Sequence, residues 1–207
     1  MAVLNEPSQY GVSRETQDRF LLYEDLLRRW NRSINLVSSR SLADFQTRHL
    51  ADSLQLLELA SPSPKHWVDF GSGAGFPAIP VAILASQTLP CLRFTLIESD
   101  QRKAAFLETV IRAVDIHADV LIHRAESIEP LSADIVSARA FADLETLLEL
   151  MYRHGGGNSM GLFPKGHTVN DELTATRMDW SFSLVIEPSR THPHGVILKI
   201  GDLSRVS

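Results

Sequence analysis

The sequence predicts an α/β protein built on a Rossmann-like, mostly parallel sheet that closes in a C-terminal antiparallel hairpin and is preceded by a helical extension. Three observations lead there. From residue 66 onward, short apolar strands alternate with helical patterns, as in a parallel sheet covered on both faces. The last two strand-like runs, SFSLVIE (181–187) and HGVILKI (194–200), have only a turn between them and must pair antiparallel. Before residue 66 the periodicity is helical, and the breaker SPSPKH (61–66) marks a seam between an extension over 1–64 and a main unit over 65–207.

The elements follow in order. Ser13 can cap a helix reaching Trp30, with Phe20, Tyr23, Leu26, Leu27 and Trp30 on one face. Ser41 and Asp44 resemble a capping box that opens a second helix, whose buried face would hold Phe45, Leu50, Leu54 and Leu57. HWVDF (66–70), RFTLIES (93–99), ADVLIHR (118–124), ADIVSAR (133–139) and a run within 155–166 read as strands. Helices are predicted over 77–86, 101–114, 143–153 and within 168–178. The second of these would turn Ala105, Phe106, Val110 and Ala113 inward.

Bulk properties narrow the function. The 207 residues suit one domain with a substantial core and leave room for a small appendage. A net charge of -5 argues against a wholly basic nucleic-acid binder and leaves room for a local basic face. The single cysteine, Cys91, excludes an internal disulfide and a cysteine-rich metal site, and fits a reducing compartment. With no signal-peptide pattern and no apolar stretch long enough to span a bilayer, the expectation is a soluble cytoplasmic protein without a membrane partner.

The most informative stretch is VDFGSGAGFPAIP (68–80). A dinucleotide loop wants G-x-G-x-x-G. Gly71 and Gly73 fit it, but position 76 is Phe. A phosphate-cradling loop needs Lys–Ser/Thr after its last glycine, and none stands here. The pattern is D-x-G-x-G-x-G, from Asp69 to Gly75. A large ring after it would crowd a pyrophosphate and suits a smaller nucleoside with an apolar flank. Pro77 and Pro80 belong in the first turn of the next helix, so the loop sits at the carboxyl end of the first strand, where open α/β sheets bind ligands. Glu98 ends the second strand, where an acid commonly accepts from ribose hydroxyls in both NAD and S-adenosylmethionine sites. Arg124, Ala125 and Glu126 follow the third strand and could meet an adenine edge. The glycine spacing and the closing hairpin favour S-adenosylmethionine over NAD.

The stretches WNRSINLVS (30–38), RHLADS (48–53), VDFGSGAGFPAIP (68–80), FTLIESDQRKAAFL (94–107), HRAES (123–127), VSARAFADL (136–144) and FPKG (163–166), in this order, resemble the bacterial small-subunit ribosomal RNA guanine-N7 methyltransferases, also called the glucose-inhibited division protein B family. Three positions depart mildly: Ala74 and Phe76 stand where Pro and Leu are frequent, and Pro164 sits just before Lys165. The resemblance implies the class I S-adenosylmethionine-dependent methyltransferase fold with an N-terminal helical extension. It also implies methyl transfer to N7 of a specific guanine in 16S ribosomal RNA, naked or in an assembling 30S particle. It places cofactor contacts on Gly71, Phe76, Ala125, Glu126 and Arg139, to which the local chemistry adds Gly73 and Glu98. Arg48 and Lys165 are implied RNA contacts. His49 and Arg124 join them from the local surplus of positive charge. A monomer is expected.

Guanine N7 carries a free lone pair, so no obligatory general base is needed. Alignment and exclusion of water would carry catalysis. Arginine often reads guanine through O6 and N7 together, which here would block the nucleophile. Arg139 should therefore hold the cofactor's carboxylate, an RNA phosphate or O6 alone, or else form a salt bridge with Asp134 or Asp143. The target base must lie in a loop or be extruded. The cluster Arg28, Arg29 and Arg32 reads equally as an RNA patch or a solvated helix face, and Trp30 as a core anchor. Pro90–Cys91 lies away from the cofactor side, and His192 and His194 read as turn histidines, so neither a nucleophile nor a metal site is expected. Two other readings stay open: a methyltransferase for another RNA or a small molecule, and an NAD-type oxidoreductase.

Overall fold

The structure is a computed structural model that describes residues 11–38, 42, 45–166 and 169–206, with the side chains at 47 and 48 left aside. The capping box at Ser41 and Asp44 and the side chain of Arg48 lie outside the described residues.

Helix α1 (Arg14–Trp30) starts where expected: Ser13 is extended and its hydroxyl accepts from the Thr16 amide, satisfying one orphan donor of the first turn. Phe20, Tyr23 and Leu27 are buried along its inner face. A wide π-helical turn, Phe45–Leu50, leads into α2 (Ala51–Leu59). The main unit then alternates β1 (His66–Phe70), α3 (Ala78–Thr88), β2 (Arg93–Ile97), α4 (Gln101–Val114), β3 (Ala118–Leu121), β4 (Ala133–Ala138), α5 (Leu144–His154), β5 (Gly155–Lys165), α6 (Val169–Thr176), β6 (Trp180–Pro188) and β7 (Val196–Arg205).

The strands form one seven-stranded sheet in the order β3-β2-β1-β4-β5-β7-β6. β1 to β5 run parallel, while β7 is antiparallel to both β5 and β6. The hairpin therefore folds back so that its second strand enters the sheet first. Residues alternate between faces as strand geometry requires. Trp67 and Ile135 pack with α1 to α4, whereas Val68 and Val136 pack with α5 and α6. The N-terminal helices share a continuous core with α3 and α4. The inner face of α4 is rotated by one position from the expected one: Ala104, Leu107 and Val114 are buried with Phe106 and Val110, and Ala113 is exposed. β3 stops at Leu121, short of the predicted Arg124.

Candidate active site

The loop after β1 turns on three glycines with left-handed backbones: Gly71 (φ 63°), Gly73 (φ 52°) and Gly75 (φ 92°). Side chains are disfavoured there on conformation alone. Space adds to this at the two ends of the motif. A Cβ on Gly71 would lie 2.0 Å from Cδ2 of Phe141, and one on Gly75 would lie 2.5 Å from Ile79. The loop is held from three sides. The Gly73 amide donates to Glu98 Oε2 at 2.9 Å, while Oε1 of the same carboxylate accepts from the Asp100 amide at 2.8 Å. Tyr23 reaches across from α1 and donates its hydroxyl to the Ala74 carbonyl at 2.6 Å, fully buried. Beneath the loop, Asp69 accepts from Ser72 at 2.7 Å and from Ser137 at 2.6 Å, and Ser137 in turn accepts from the Trp67 indole at 2.8 Å. Burial above all, with the two hydroxyls lowering and nearby Glu98 raising it, brings the Asp69 carboxyl up to about 7.

Two cavities open at the carboxyl ends of the strands. One, of about 240 Å³, is lined by Gly71, Gly73, Glu98, Arg124, Ala125 and Glu126. The other, of about 380 Å³, is lined by Asp52, Arg139, Phe141, Lys165 and Glu172 among others. Ala140 and Phe141 line both, so the segment after β4 is their common wall. Ala125 is also fixed from below: the buried His154 ring bonds its carbonyl at 2.9 Å, and burial holds that imidazole below its ordinary pKa.

The sequence-derived residues thus divide. Gly71, Gly73, Glu98, Ala125 and Glu126 come together in the smaller cavity, with exposed Arg124 at its side. Arg139 and Lys165 fall in the larger one. Phe76 lines neither. It is 7% exposed and lies among Tyr23, Phe45 and His49, the last stacked on it at 4.7 Å. His49 is 6% exposed, and its Nδ1 meets Arg139 Nη2 at 2.7 Å, so it supports Arg139 and presents almost no surface to RNA. Lys165 is tied to Glu172 at 2.7 Å and to the Ala142 carbonyl at 3.0 Å. The two acids considered as partners for Arg139 accept backbone amides elsewhere: Asp134, in β4, accepts from Lys65 and His66 at the start of β1, and Asp143 caps α5 by accepting from Thr146. Arg28 and Arg29 pair with Glu24 and Asp25 one turn away, as on a solvated helix face, and Trp30 packs on Phe106. Cys91 is exposed, and among the described residues no His, Cys, Asp and Glu cluster fits a metal ion.

Sequence reasoning missed Tyr23, His154 and the role of Asp69. Tyr23 was visible only as one more apolar-face residue. His154 carried no signal, because its partner lies 29 residues away.

Comparison with known proteins decides the family. The rRNA small subunit methyltransferase G family matches residues 16–197. The chain belongs to this family. A relative in Ruegeria pomeroyi, a ribosomal RNA small subunit methyltransferase G, is 46% identical over 95% of this chain and 96% of its own length. Another of that name in Rhodospirillum centenum is 48% identical over 94% of this chain and 88% of its own. Among solved structures, a SAM-dependent methyltransferase from Aquifex aeolicus matches with a TM-score of 0.61 at 12% identity, over 78% of this chain and 95% of that one. A methyltransferase from Geobacter sulfurreducens matches with a TM-score of 0.54 at 17% identity, over 95% and 92%. Family and fold together make this rRNA small subunit methyltransferase G family protein an S-adenosylmethionine-dependent methyltransferase. Among the described residues no helix is long and apolar enough to cross a membrane.

Proposed function

We propose that this chain transfers the methyl group of S-adenosylmethionine to N7 of one guanine in small-subunit (16S) ribosomal RNA. The observation that carries the reading is the pair of cavities with one common wall, the first floored by glycine backbone and the second holding Arg139 and Lys165. The residues fit the cofactor. Gly71 and Gly73 line the smaller cavity, where a Cβ at Gly71 would collide with the Phe141 ring of its wall, and a carboxylate stands at the end of β2. When bound, S-adenosylmethionine supplies an electrophilic methyl on a sulfonium.

Gly71, Gly73, Glu98, Ala125 and Glu126 would hold it. The Glu98 oxygens each accept one amide and retain lone pairs for ribose hydroxyls. Phe76 acts from behind the loop. Arg139, in the larger cavity and next in sequence to the shared Ala140, is placed to meet an anionic group of cofactor or RNA. Arg124, Arg48 and Lys165 serve the RNA side, with His49 acting through Arg139. Because N7 needs no base, the residues orient the two reactants and keep water out. The enzyme is taken to be a cytoplasmic monomer that meets RNA alone or in an assembling 30S particle, with an N-terminal helical extension (1–64) whose helix α1 supports the glycine loop through Tyr23.

The test is transfer of labelled methyl to small ribosomal subunits lacking the modification, followed by borohydride–aniline cleavage. Cleavage at one guanine is expected. Transfer without cleavage would move the product to another atom, and no transfer despite cofactor binding would reopen the small-molecule reading.

A further inference from the structure

We infer that the 380 Å³ cavity receives the extruded guanine and that the Asp52 carboxylate reads its N1–H and N2–H edge. This rests on the guanine-N7 reading above and adds to it the pocket and the residue that select the base.

The cavity lies within the size range of small-molecule sites, roughly 300–1,000 Å³. It borders the cofactor cavity along Ala140 and Phe141, so a base held there sits next to the methyl donor's site. Phe141, Pro164, Val196 and Ile197 supply apolar surface for a flat ring.

Its polar groups are unequal. Lys165 and Glu172 bond to each other at 2.7 Å and largely compensate one another. Asp52 differs. It is half-buried in the first turn of α2, and among the described residues its hydrogen bonds fall on Oδ1, from the Ser189 hydroxyl at 2.9 Å and from the Thr191 hydroxyl. Among the described residues no Lys or Arg stands within ion-pair distance of it. The hairpin turn between β6 and β7 therefore fixes one oxygen of a carboxylate that lines the cavity, while the other, Oδ2, has no hydrogen-bond partner among the described residues.

Guanine alone among the RNA bases offers two adjacent donors on its Watson–Crick edge, N1–H and N2–H. A carboxylate accepts both. Adenine and cytosine present a ring-nitrogen lone pair there, and uracil sets its one N–H between two carbonyls, so each repels the acid. N7 lies on the opposite side of the purine, and a base held by that edge keeps its nucleophile open. In the reaction the N7 lone pair forms the bond to carbon, the C–S electron pair stays on sulfur, and the positive charge passes from sulfur to the base with no proton released. A carboxylate at N1–H and N2–H opposes that charge and so favours the product-like state over the neutral base.

The test uses the full chain and three nucleotides, the 5′-monophosphates of guanosine, inosine (which lacks N2) and adenosine, titrated in the presence of S-adenosylhomocysteine. The wild type is expected to bind the guanosine nucleotide about tenfold or more tighter than the inosine one, as for one charge-assisted hydrogen bond. Asp52→Asn keeps an acceptor for the two hydroxyls and should lose this preference, with S-adenosylhomocysteine affinity unchanged. Ser189→Ala removes a hydroxyl and keeps the carboxylate, and should retain the preference. The inference is overturned if the wild type shows no preference or no nucleotide binding, if Asp52→Asn keeps the preference, or if Ser189→Ala loses it equally. Methyl transfer to small subunits is followed in parallel. A wild type that makes no 7-methylguanine sinks the parent reading. A wild type that makes it, beside an Asp52→Asn variant with undiminished kcat/KM, sinks only the role of Asp52.

Discussion

Replacing Asp69 by Asn should make the protein's stability less sensitive to alkali. Asp69 is 1% exposed, and burial raises its carboxyl from 3.8 to about 7. The native state therefore holds the proton more tightly than the unfolded chain does. Below the unfolded value both states are protonated and the group contributes no pH dependence. Between the two values the unfolded chain ionises first, so stability falls as pH rises, by about 1.4 kcal/mol per unit. Above about 7 both are ionised and the loss levels off, at about 4 kcal/mol in total. His66 and His154, both held below their ordinary value by burial, give a slope of the opposite sign on the acid side. The difference between wild type and Asp69→Asn cancels them. The amide keeps the size of the carboxyl and can still meet Ser72 and Ser137. Urea unfolding at pH 5, 6, 7 and 8 measures both proteins. The variant should gain about 3 kcal/mol relative to wild type between pH 5 and 8. Parallel stability curves would refute the account and mean that Asp69 is ionised in the native state throughout this range.

Other perturbations probe the loop. Tyr23→Phe strands the buried Ala74 carbonyl and should cost about 1–3 kcal/mol of stability. Because that carbonyl belongs to the glycine loop, S-adenosylhomocysteine should bind more weakly in calorimetry, and unchanged affinity would make Tyr23 a core residue only. Gly71→Ala meets two penalties: a left-handed backbone costing about 1–2 kcal/mol and a Cβ 2.0 Å from the Phe141 ring. The double variant Gly71→Ala with Phe141→Ala should recover the second part of the lost affinity, and no recovery would assign the whole loss to backbone strain.

The fold was largely legible because its signals are local. Strand runs, helical stripes, the Ser13 cap and the glycine loop each lie within a few residues, and each appears close to its predicted place. Long-range facts were not legible. The antiparallel hairpin followed from its short turn, but the placement of β7 between β5 and β6 depends on which strand edge remains open. The inner face of α4 slipped by one position because Ala104 and Ala105 are equivalent by composition, and only packing chooses between them. His49 was drawn into the RNA list by the arginines around it, yet the turn on which it sits directs it onto Phe76. Asp52 carried no signal because its hydroxyl partners lie 137 and 139 residues further along the chain.

Phe76 shows how an apparent violation of a motif resolves. In sequence it spoils a dinucleotide loop by putting a ring where a glycine belongs. In the structure that ring lies behind the loop and ties the two cavities together. It packs on Tyr23, which holds Ala74 in the glycine loop. It stacks on His49, which bonds Arg139 in the larger cavity. The Arg139 guanidinium itself lies 5.7 Å from its centroid. One side chain thus touches the tyrosine that bonds the glycine loop, the histidine that bonds Arg139, and Arg139 itself. Phe76→Ala should cost about 3–5 kcal/mol as a core truncation. Its more telling effect is to weaken cofactor binding and RNA binding together. Phe76→Leu conserves an apolar filling, should cost less than about 1.5 kcal/mol and should spare both affinities. Calorimetry with S-adenosylhomocysteine and equilibrium binding to small subunits measure the two sides independently. If Phe76→Ala lowers cofactor affinity alone, the ring belongs to the cofactor site and the link to Arg139 carries no function.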